Sequence, residues 1–372
     1  MDVPFFRREY DTNSVQRVTE VIASGFLTSG SVGRSVEKQV SDYFGFGSFK
    51  LTSSWTTAWQ IVLDLENIGP GDEVIMPSLT FVSCANMVVK RGATVVFCDV
   101  DYRELVCTPE TIRPLVNDRT KLILLVHLYG LMCPVSEIVE EFGEEIKIYE
   151  DCAHAFSASR DNVRPGQLTD GAIFSFYATK NISCGEGGGV LTKSERLADL
   201  IEKMRLHGMS ASAYNRYTTT SHTHWDVETP GYKANLPDVL AALLPEQIDT
   251  VAASDQRRSE LYLEYQSLLE PLSEIRTQTW TNASVNHSHH LFTVGVAEEN
   301  RDPLIGYLKQ NGVGVAVNFR SILDLSAYKN NHSHTPNADL WGRQTISLPF
   351  FENLTLNEQQ YVVALINDWN SK

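Results

Sequence analysis

Lys121-Leu122-Ile123-Leu124-Leu125-Val126-His127 is a short apolar run, followed by a helical stretch at 135–142 and by a second run, Lys147-Ile148-Tyr149-Glu150, with Asp151 directly after it. A strand, a crossover helix and another strand make the unit of a parallel sheet covered on both faces. The same alternation extends outward over residues 73–191. Further β-rich runs lie at 73–76, 94–98, 172–176 and 188–192, with helical stretches at 81–90 and 109–116. The second helix opens with Thr108-Pro109-Glu110, where Thr is a natural cap and Pro fits the first turn. An α/β fold follows.

Before this region, residues 14–23 and 35–43 have helical periodicity, separated by the small-residue loop Ser24-Gly25-Phe26-Leu27-Thr28-Ser29-Gly30. After it, residues 209–229 are rich in Ser, Thr, Tyr and His with little periodicity and read as a long functional loop. A long helical stretch starts near 236. Expected strands at 291–296 and 314–318 and helices at 302–310 and 357–368 describe a smaller α+β unit. A chain of 372 residues is too long for one ordinary core. The expected division is a large domain at 13–240 and a smaller one at 241–372, with an N-terminal arm at 1–12.

Composition excludes several classes. With 42% hydrophobic and 21% charged residues the chain is ordinary globular protein, and it contains no apolar stretch long enough to cross a bilayer. The first nine residues mix acidic and basic side chains where a signal peptide needs an apolar stretch, so a cytoplasmic location is expected. A net charge of -15 argues against binding nucleic acid or anionic membranes, because counterion release needs clustered cations. Cysteines 84, 98, 107, 133, 152 and 184 lack the spacing of a zinc site or a disulfide scaffold and read as reduced, buried thiols. No metal is expected.

The densest set of reactive residues is Glu150-Asp151-Cys152-Ala153-His154-Ala155, then Phe174-Ser175-Phe176-Tyr177-Ala178-Thr179-Lys180-Asn181, then Gly185-Glu186-Gly187-Gly188-Gly189. Asp151 follows a strand and belongs at its carboxyl end, where ligands of open α/β sheets bind. An anion there suits a protonated pyridine nitrogen and makes such a ring an electron sink; a helix-capping Asp is the alternative. Lys180 lies just past another strand among small and polar neighbours. Desolvation and nearby cations would make its amine nucleophilic toward an aldehyde; a solvated loop lysine is the alternative. Ser175 offers a hydroxyl to a phosphate. The glycine run lacks the strand–loop–helix setting of a nucleotide loop and reads as a tight turn into a strand. Ser53-Ser54-Trp55-Thr56-Thr57-Ala58 precedes a helical run at 59–65, either an anion site at a helix N-terminus or a plain capping cluster. Phe81 either stacks on a ligand ring or joins the core.

Taken in order, these segments resemble the DegT/DnrJ/EryC1/StrS family of sugar aminotransferases, within the aspartate-aminotransferase-like fold of pyridoxal-phosphate (PLP) enzymes. The resemblance runs from Gly25-Phe26-Leu27-Thr28-Ser29-Gly30 through residues 69–93, Val126-His127-Leu128-Tyr129-Gly130, 150–155 and 174–188. It continues to Leu206-His207-Gly208, Gly231-Tyr232-Lys233-Ala234-Asn235 and Ile346-Ser347-Leu348-Pro349. It implies a type I PLP fold with a mostly parallel seven-stranded sheet, and PLP as cofactor, in its amino form (PMP) during turnover. Lys180 would hold the cofactor as a Schiff base and shuttle protons. Asp151 would pair with the ring nitrogen, Phe81 stack on the ring and His154 lie near the phenolic oxygen. Thr56, Thr57 and Ser175 match phosphate-holding positions. Asn235 matches a residue reaching the phosphate from the partner subunit, which implies a homodimer with shared active sites. Loop placement and charge point to Arg320 and His207 as substrate-binding residues, together with Thr28.

Two departures from the family pattern stand out. Trp55 occupies a usual glycine position, where a positive φ would strain it, and Pro245 interrupts a usually continuous helix. The expected reaction moves an amine from L-glutamate to a nucleotide-linked keto sugar, a 4-keto-6-deoxyhexose carried by dTDP, GDP or UDP, for deoxyamino-sugar and polysaccharide or O-antigen synthesis. Leu206-His207-Gly208-Met209-Ser210, Tyr214 to Tyr217 and residues 231–235 look more like the branch that aminates C4 than C3. The alternatives are a 3-keto sugar aminotransferase and an enzyme for free keto sugars or cyclitols. A related dehydratase would have His in place of Lys180, and a non-catalytic PLP-binding protein would lack Lys180 or Asp151.

Overall fold

The structure, a computed structural model, describes residues 1–210 and 226–371. Helices α1 (Thr12–Ser24) and α2 (Ser31–Phe44) lead into β1 (Ser48–Thr52), α3 (Trp55–Leu65), β2 (Glu73–Pro77), α4 (Ser83–Lys90), β3 (Thr94–Cys98) and the short α5 (Pro109–Ile112). Then come β4 (Thr120–Val126), α6 (Val135–Phe142), β5 (Lys147–Asp151), β6 (Ser159–Arg160), β7 (Gly171–Ser175), β8 (Gly188–Thr192) and α7 (Glu195–Met204). Seven strands form one sheet in the order β1-β8-β7-β5-β4-β2-β3. The neighbouring pairs from β3 to β7 are parallel, while β8 runs antiparallel to both β7 and β1. The mostly parallel α/β sheet expected from the sequence is therefore present.

The alternation of burial explains the apolar strands. Leu122 and Leu124 of β4 join one core with Val74, Tyr149 and Ile173, and Ile123 and Leu125 join the opposite core with Ile75, Ile148 and Phe174. Both faces are dry, so the central strands are largely apolar, with β5 giving way to Glu150 and Asp151 at its carboxyl end. A third core gathers Val3 with side chains of helices Val251–Leu269, Glu298–Gln310 and Leu356–Asn370. These pack on a small sheet of β9 (Arg276–Thr277), β11 (Phe292–Gly295) and β12 (Thr345–Leu348), while β10 (Val285–Asn286) pairs with β6.

Several local expectations are corrected. Helix α4 begins at Ser83, leaving Phe81 outside it. The helical stretch near 236 is three segments, Asp238–Ala241, Pro245–Asp249 and Val251–Leu269, because Pro245 opens a new helix instead of continuing the old one. The strand expected at 314–318 reduces to one bridge between Ala316 and Ser347. Trp55 is the first residue of α3 behind the N-cap Ser54 and is not among the left-handed residues of the chain, so no positive φ strains it. All six cysteines are buried and free, as expected.

Asp238 fixes the loop before α2. Its carboxylate accepts backbone N–H bonds from Gly30 (2.9 Å), Val32 (3.2 Å) and Gly33 (3.0 Å), supplying a cap that Gly30 has no side chain to make. A Cβ on Gly30 would come within 2.5 Å of Asp238 Oδ2. Asp238→Ala strands one buried and two partly buried donors, and we expect it to cost about 2–4 kcal/mol. The shift of the unfolding midpoint measures this, and an unchanged midpoint refutes it.

Candidate active site

Strand β5 ends at Asp151, and the turn between β7 and β8 carries Lys180. Both side chains line a cavity of about 440 Å³ at the carboxyl ends of the parallel strands, together with Thr56, Phe81, His154 and Ser175. Parallel strands leave their connecting loops splayed at this end, which opens such a crevice.

Asp151 is nearly inaccessible to water. Its Oδ1 accepts the Ala153 N–H at 3.0 Å, and the Cys84 thiol lies 3.5 Å from Oδ2. Burial pushes its carboxyl pKa up, opposed by the Ala153 N–H and by the charge of Lys180. A carboxylate held this way is completed by a cationic or N–H partner. Burial pushes the Lys180 amine down to about 8, against the pull of Asp151. An amine with that pKa carries an appreciable neutral fraction near pH 7. Its reaction with an aldehyde should therefore rise about tenfold per pH unit below pH 8 and level off above it. Stopped-flow absorbance of cofactor capture measures this, and a rate still climbing at pH 10 refutes it.

His154 is held neutral. Burial and the Lys180 charge push its pKa well down, and Nδ1 accepts the Tyr129 N–H at 3.1 Å. Assigned from that hydrogen bond, the proton sits on Nε2 and is free for donation. The ring stacks on His290 at 4.3 Å, and Phe319 lies parallel to it at 6.0 Å. Phe81, 56% exposed, stands at the mouth 5.8 Å from the Phe319 ring. Beneath the cavity, His127 Nε2 and Glu150 Oε2 are 2.7 Å apart, and Gly166 N and Thr169 Oγ1 fill the other Glu150 oxygen.

The expected residues separate into groups. Thr56 lines the cavity with its hydroxyl 2.7 Å from Ser83 Oγ. Thr57 does not line it: its hydroxyl donates to Ser54 O at 3.0 Å and accepts Ser54 N–H at 3.1 Å, closing the α3 capping box. Asn235 faces a second cavity of about 540 Å³ with Ser29, Arg34 and Arg205. Thr28, His207 and Arg320 are exposed and outside the Lys180 cavity, although Arg320 directly follows the lining residue Phe319. Tyr214 to Tyr217 lie outside the described residues.

Sequence reasoning gave no role to Thr80, Cys84, Tyr177, Glu186 and Asn318, which line the cavity; Trp55, of the candidate anion turn, and Phe319, of the loop expected to set substrate choice, line it too. For Cys84 a signal existed: it falls three residues after Phe81, which the family resemblance sets against the cofactor ring. The Trp55 indole N–H is buried without a protein partner.

A model of the DegT/DnrJ/EryC1/StrS aminotransferase family matches residues 8–367. The chain belongs to this family. It is similar to the spore coat polysaccharide biosynthesis protein SpsC of Bacillus subtilis (strain 168), 33% identical over 95% of this chain and 93% of that one. Among solved structures it is similar to the aminotransferase TlmJ of Streptoalloteichus hindustanus, with 26% identity, TM-score 0.91 and 99% of both chains covered. It is also similar to the PLP form of the putative sugar aminotransferase Spr1654 of Streptococcus pneumoniae, with 26% identity and TM-score 0.90 over 100% of this chain and 99% of that one.

DegT/DnrJ/EryC1/StrS enzymes are PLP-dependent aminotransferases. The residues present fit that cofactor: one cavity joins an amine pushed down to about 8, a buried carboxylate whose Oδ2 has only a weak thiol contact, and the hydroxyls of Thr56 and Ser175. No helix among the described residues is long and apolar enough to cross a membrane.

Proposed function

We propose that this aminotransferase moves an amino group from L-glutamate to a nucleotide-linked keto sugar, a 4-keto-6-deoxyhexose. The shared cavity of Lys180 and Asp151 carries the transamination part. The names of SpsC and Spr1654 support a sugar acceptor. The nucleotide and glutamate rest on the family resemblance, and the C4 position on the motifs at 206–210 and 231–235.

When bound, PLP supplies an electron sink for charge developing at the amino-acid α-carbon. The Lys180 amine would hold the cofactor and, when free, would serve as the proton carrier. The Asp151 carboxylate would pair with the ring nitrogen and favour its protonated form. The Nε2–H of His154 would donate toward the phenolic oxygen, and Phe81 would cover the ring from the mouth. Thr56, Ser175 and the N-terminus of α3 would hold the phosphate; Thr57 contributes by completing the α3 cap. Asn235 lies on a different cavity of its own chain, which supports its acting across a homodimer. Arg320, His207 and Thr28 belong to the outer path of the sugar nucleotide. The division into residues 13–240 and 241–372 with the 1–12 arm is supported by the core that joins Val3 to residues 261–366.

Incubation with L-glutamate and a panel of nucleotide-linked 4-keto sugars, 3-keto sugars and free keto sugars, read by mass spectrometry, tests the proposal. Amination of a nucleotide-linked 4-keto sugar is expected. Amination confined to 3-keto or free sugars overturns the substrate assignment.

A further inference from the structure

The turn that carries Lys180 is closed at its base by its own hydrogen bonds and anchored from outside around the lysine. Within residues 176–187, Phe176 N donates to Gly187 O at 2.8 Å, Cys184 N to Phe176 O at 3.0 Å and Lys180 N to Tyr177 O at 2.9 Å, while Gly185 N reaches Ser183 Oγ at 3.3 Å and the Cys184 thiol Glu186 O at 3.2 Å. Its other anchors come from distant parts of the chain. Arg8, in the N-terminal arm, donates from Nη1 to two successive carbonyls, Lys180 O at 3.3 Å and Asn181 O at 2.8 Å. Its Nη2 donates to Gln247 Oε1. That same amide oxygen accepts Ser183 N–H at 2.9 Å, and Gln247 Nε2 donates to Ser183 O at 2.8 Å. Asn181 Nδ2 donates to Ser288 O at 2.8 Å, and its Oδ1 accepts from His290 Nδ1 at 2.9 Å.

One nitrogen gripping the carbonyls of two successive peptide units, 180–181 and 181–182, fixes the rotation of both planes. The rotation sets the direction in which the Lys180 side chain leaves the backbone. A planar guanidinium has the donors to hold two carbonyls with one nitrogen and Gln247 with the other, whereas an ammonium is a point charge on a flexible stem. A reacting atom displaced by an ångström loses much of its rate.

We infer that Arg8 is a positioning residue for Lys180: the N-terminal arm holds the 180–181 backbone so that the amine reaches the cavity. This rests on Lys180 being the cofactor-holding amine. It assigns work in the site to a residue 172 positions away, outside the cavity lining.

The test uses the PLP-loaded enzyme with Arg8→Gln, Arg8→Lys and, as a control, Arg17→Gln. Arg17 pairs with Glu246, beside Gln247, without touching the turn. In Arg8→Gln, kcat with L-glutamate should fall about tenfold to a hundredfold while KM for glutamate is unchanged. The pH midpoint of the visible band should move upward as the lysine nitrogen relaxes toward solvent. Hydrogen exchange in peptide 176–187 should quicken there and nowhere else in the large sheet. Arg8→Lys should restore part of the rate, and Arg17→Gln should match wild type. Wild-type exchange in 176–187, or wild-type kcat and midpoint, in Arg8→Gln overturns the proposal. So does a loss of rate that tracks a lowered melting temperature with the midpoint fixed. Should the wild type show no band that depends on Lys180, the assignment of Lys180 fails instead, and exchange in the turn still decides whether Arg8 holds it.

Discussion

Lys180→Ala should lose the visible band of the lysine-linked cofactor and reduce turnover on the order of 10²–10⁴-fold, the range attributed to a positioned acid–base group. The cavity offers no second amine: among its described lining residues Lys180 is the only lysine. Alanine removes both the nucleophile and the proton carrier while leaving the turn's backbone anchors in place, since Arg8 grips carbonyl oxygens and not the side chain. The loss should therefore appear with little change in melting temperature. A second consequence follows from charge. The Lys180 ammonium is one of the two causes holding the His154 pKa down, so the variant should let it rise. Absorbance spectra with and without L-glutamate, together with the C2-proton NMR titration of His154, check both outcomes. Near-normal turnover in Lys180→Ala would overturn the central assignment.

Asp151→Asn should lower kcat on the order of 10²–10³-fold, comparable to deleting one preorganised electrostatic contact in a water-poor site. Asparagine keeps the shape and can still accept the Ala153 N–H, so the measurement isolates the charge. The opposite effect is expected on the cofactor-free protein. Burial raises the folded-state pKa of Asp151, so near neutral pH the unfolded chain favours the ionised form more than the folded one does. An acid with a raised folded pKa costs stability above its unfolded pKa, and the cost disappears as pH falls until the group is protonated in both states. The neutral amide avoids that cost. Cofactor-free Asp151→Asn should melt above cofactor-free wild type at pH 8, with the difference shrinking toward pH 4. A carboxylate that destabilises the empty protein yet is needed for turnover is the signature of a functional charge. Equal melting temperatures at pH 8 would argue against it.

The sheet was legible because its strands are dry on both faces. Residues 94–98 and 188–192 appear as strands over the expected residues, the first because an apolar run between helices has little else to become and the second because a glycine turn leads straight into Val190 and Leu191. Strand β1 was missed: Ser48-Phe49-Lys50-Leu51-Thr52 is short, and Lys50 sits in it because its ammonium reaches Glu202 at the sheet edge. The reversal of β8 was equally invisible, because strand direction depends on what the turn at 176–187 is anchored to. Asp151, His154, Ser175, Thr56, Phe81 and Lys180 were named from ordered motifs, and the fold brings all six to one cavity. For Thr57 the motif was silent on side-chain direction, and the hydroxyl turns back into the cap.

What the sequence alone determined was local: the α/β alternation, the placement of Asp151 and Lys180 just past strands, and the order of motifs that marks the family. Apolar periodicity and residue type are properties of neighbouring positions, so they survive in one dimension. Only the tertiary structure decided which polar groups meet. The grip of Arg8 on the Lys180 turn spans 172 positions, that of Asp238 on Gly30 spans 208, and the stack of His290 on His154 joins the third core's segment to the large sheet. Each depends on a buried donor finding an acceptor brought to it by packing elsewhere. The same packing sets the amine of Lys180 near 8, because removal from water by residues far along the chain produces the shift.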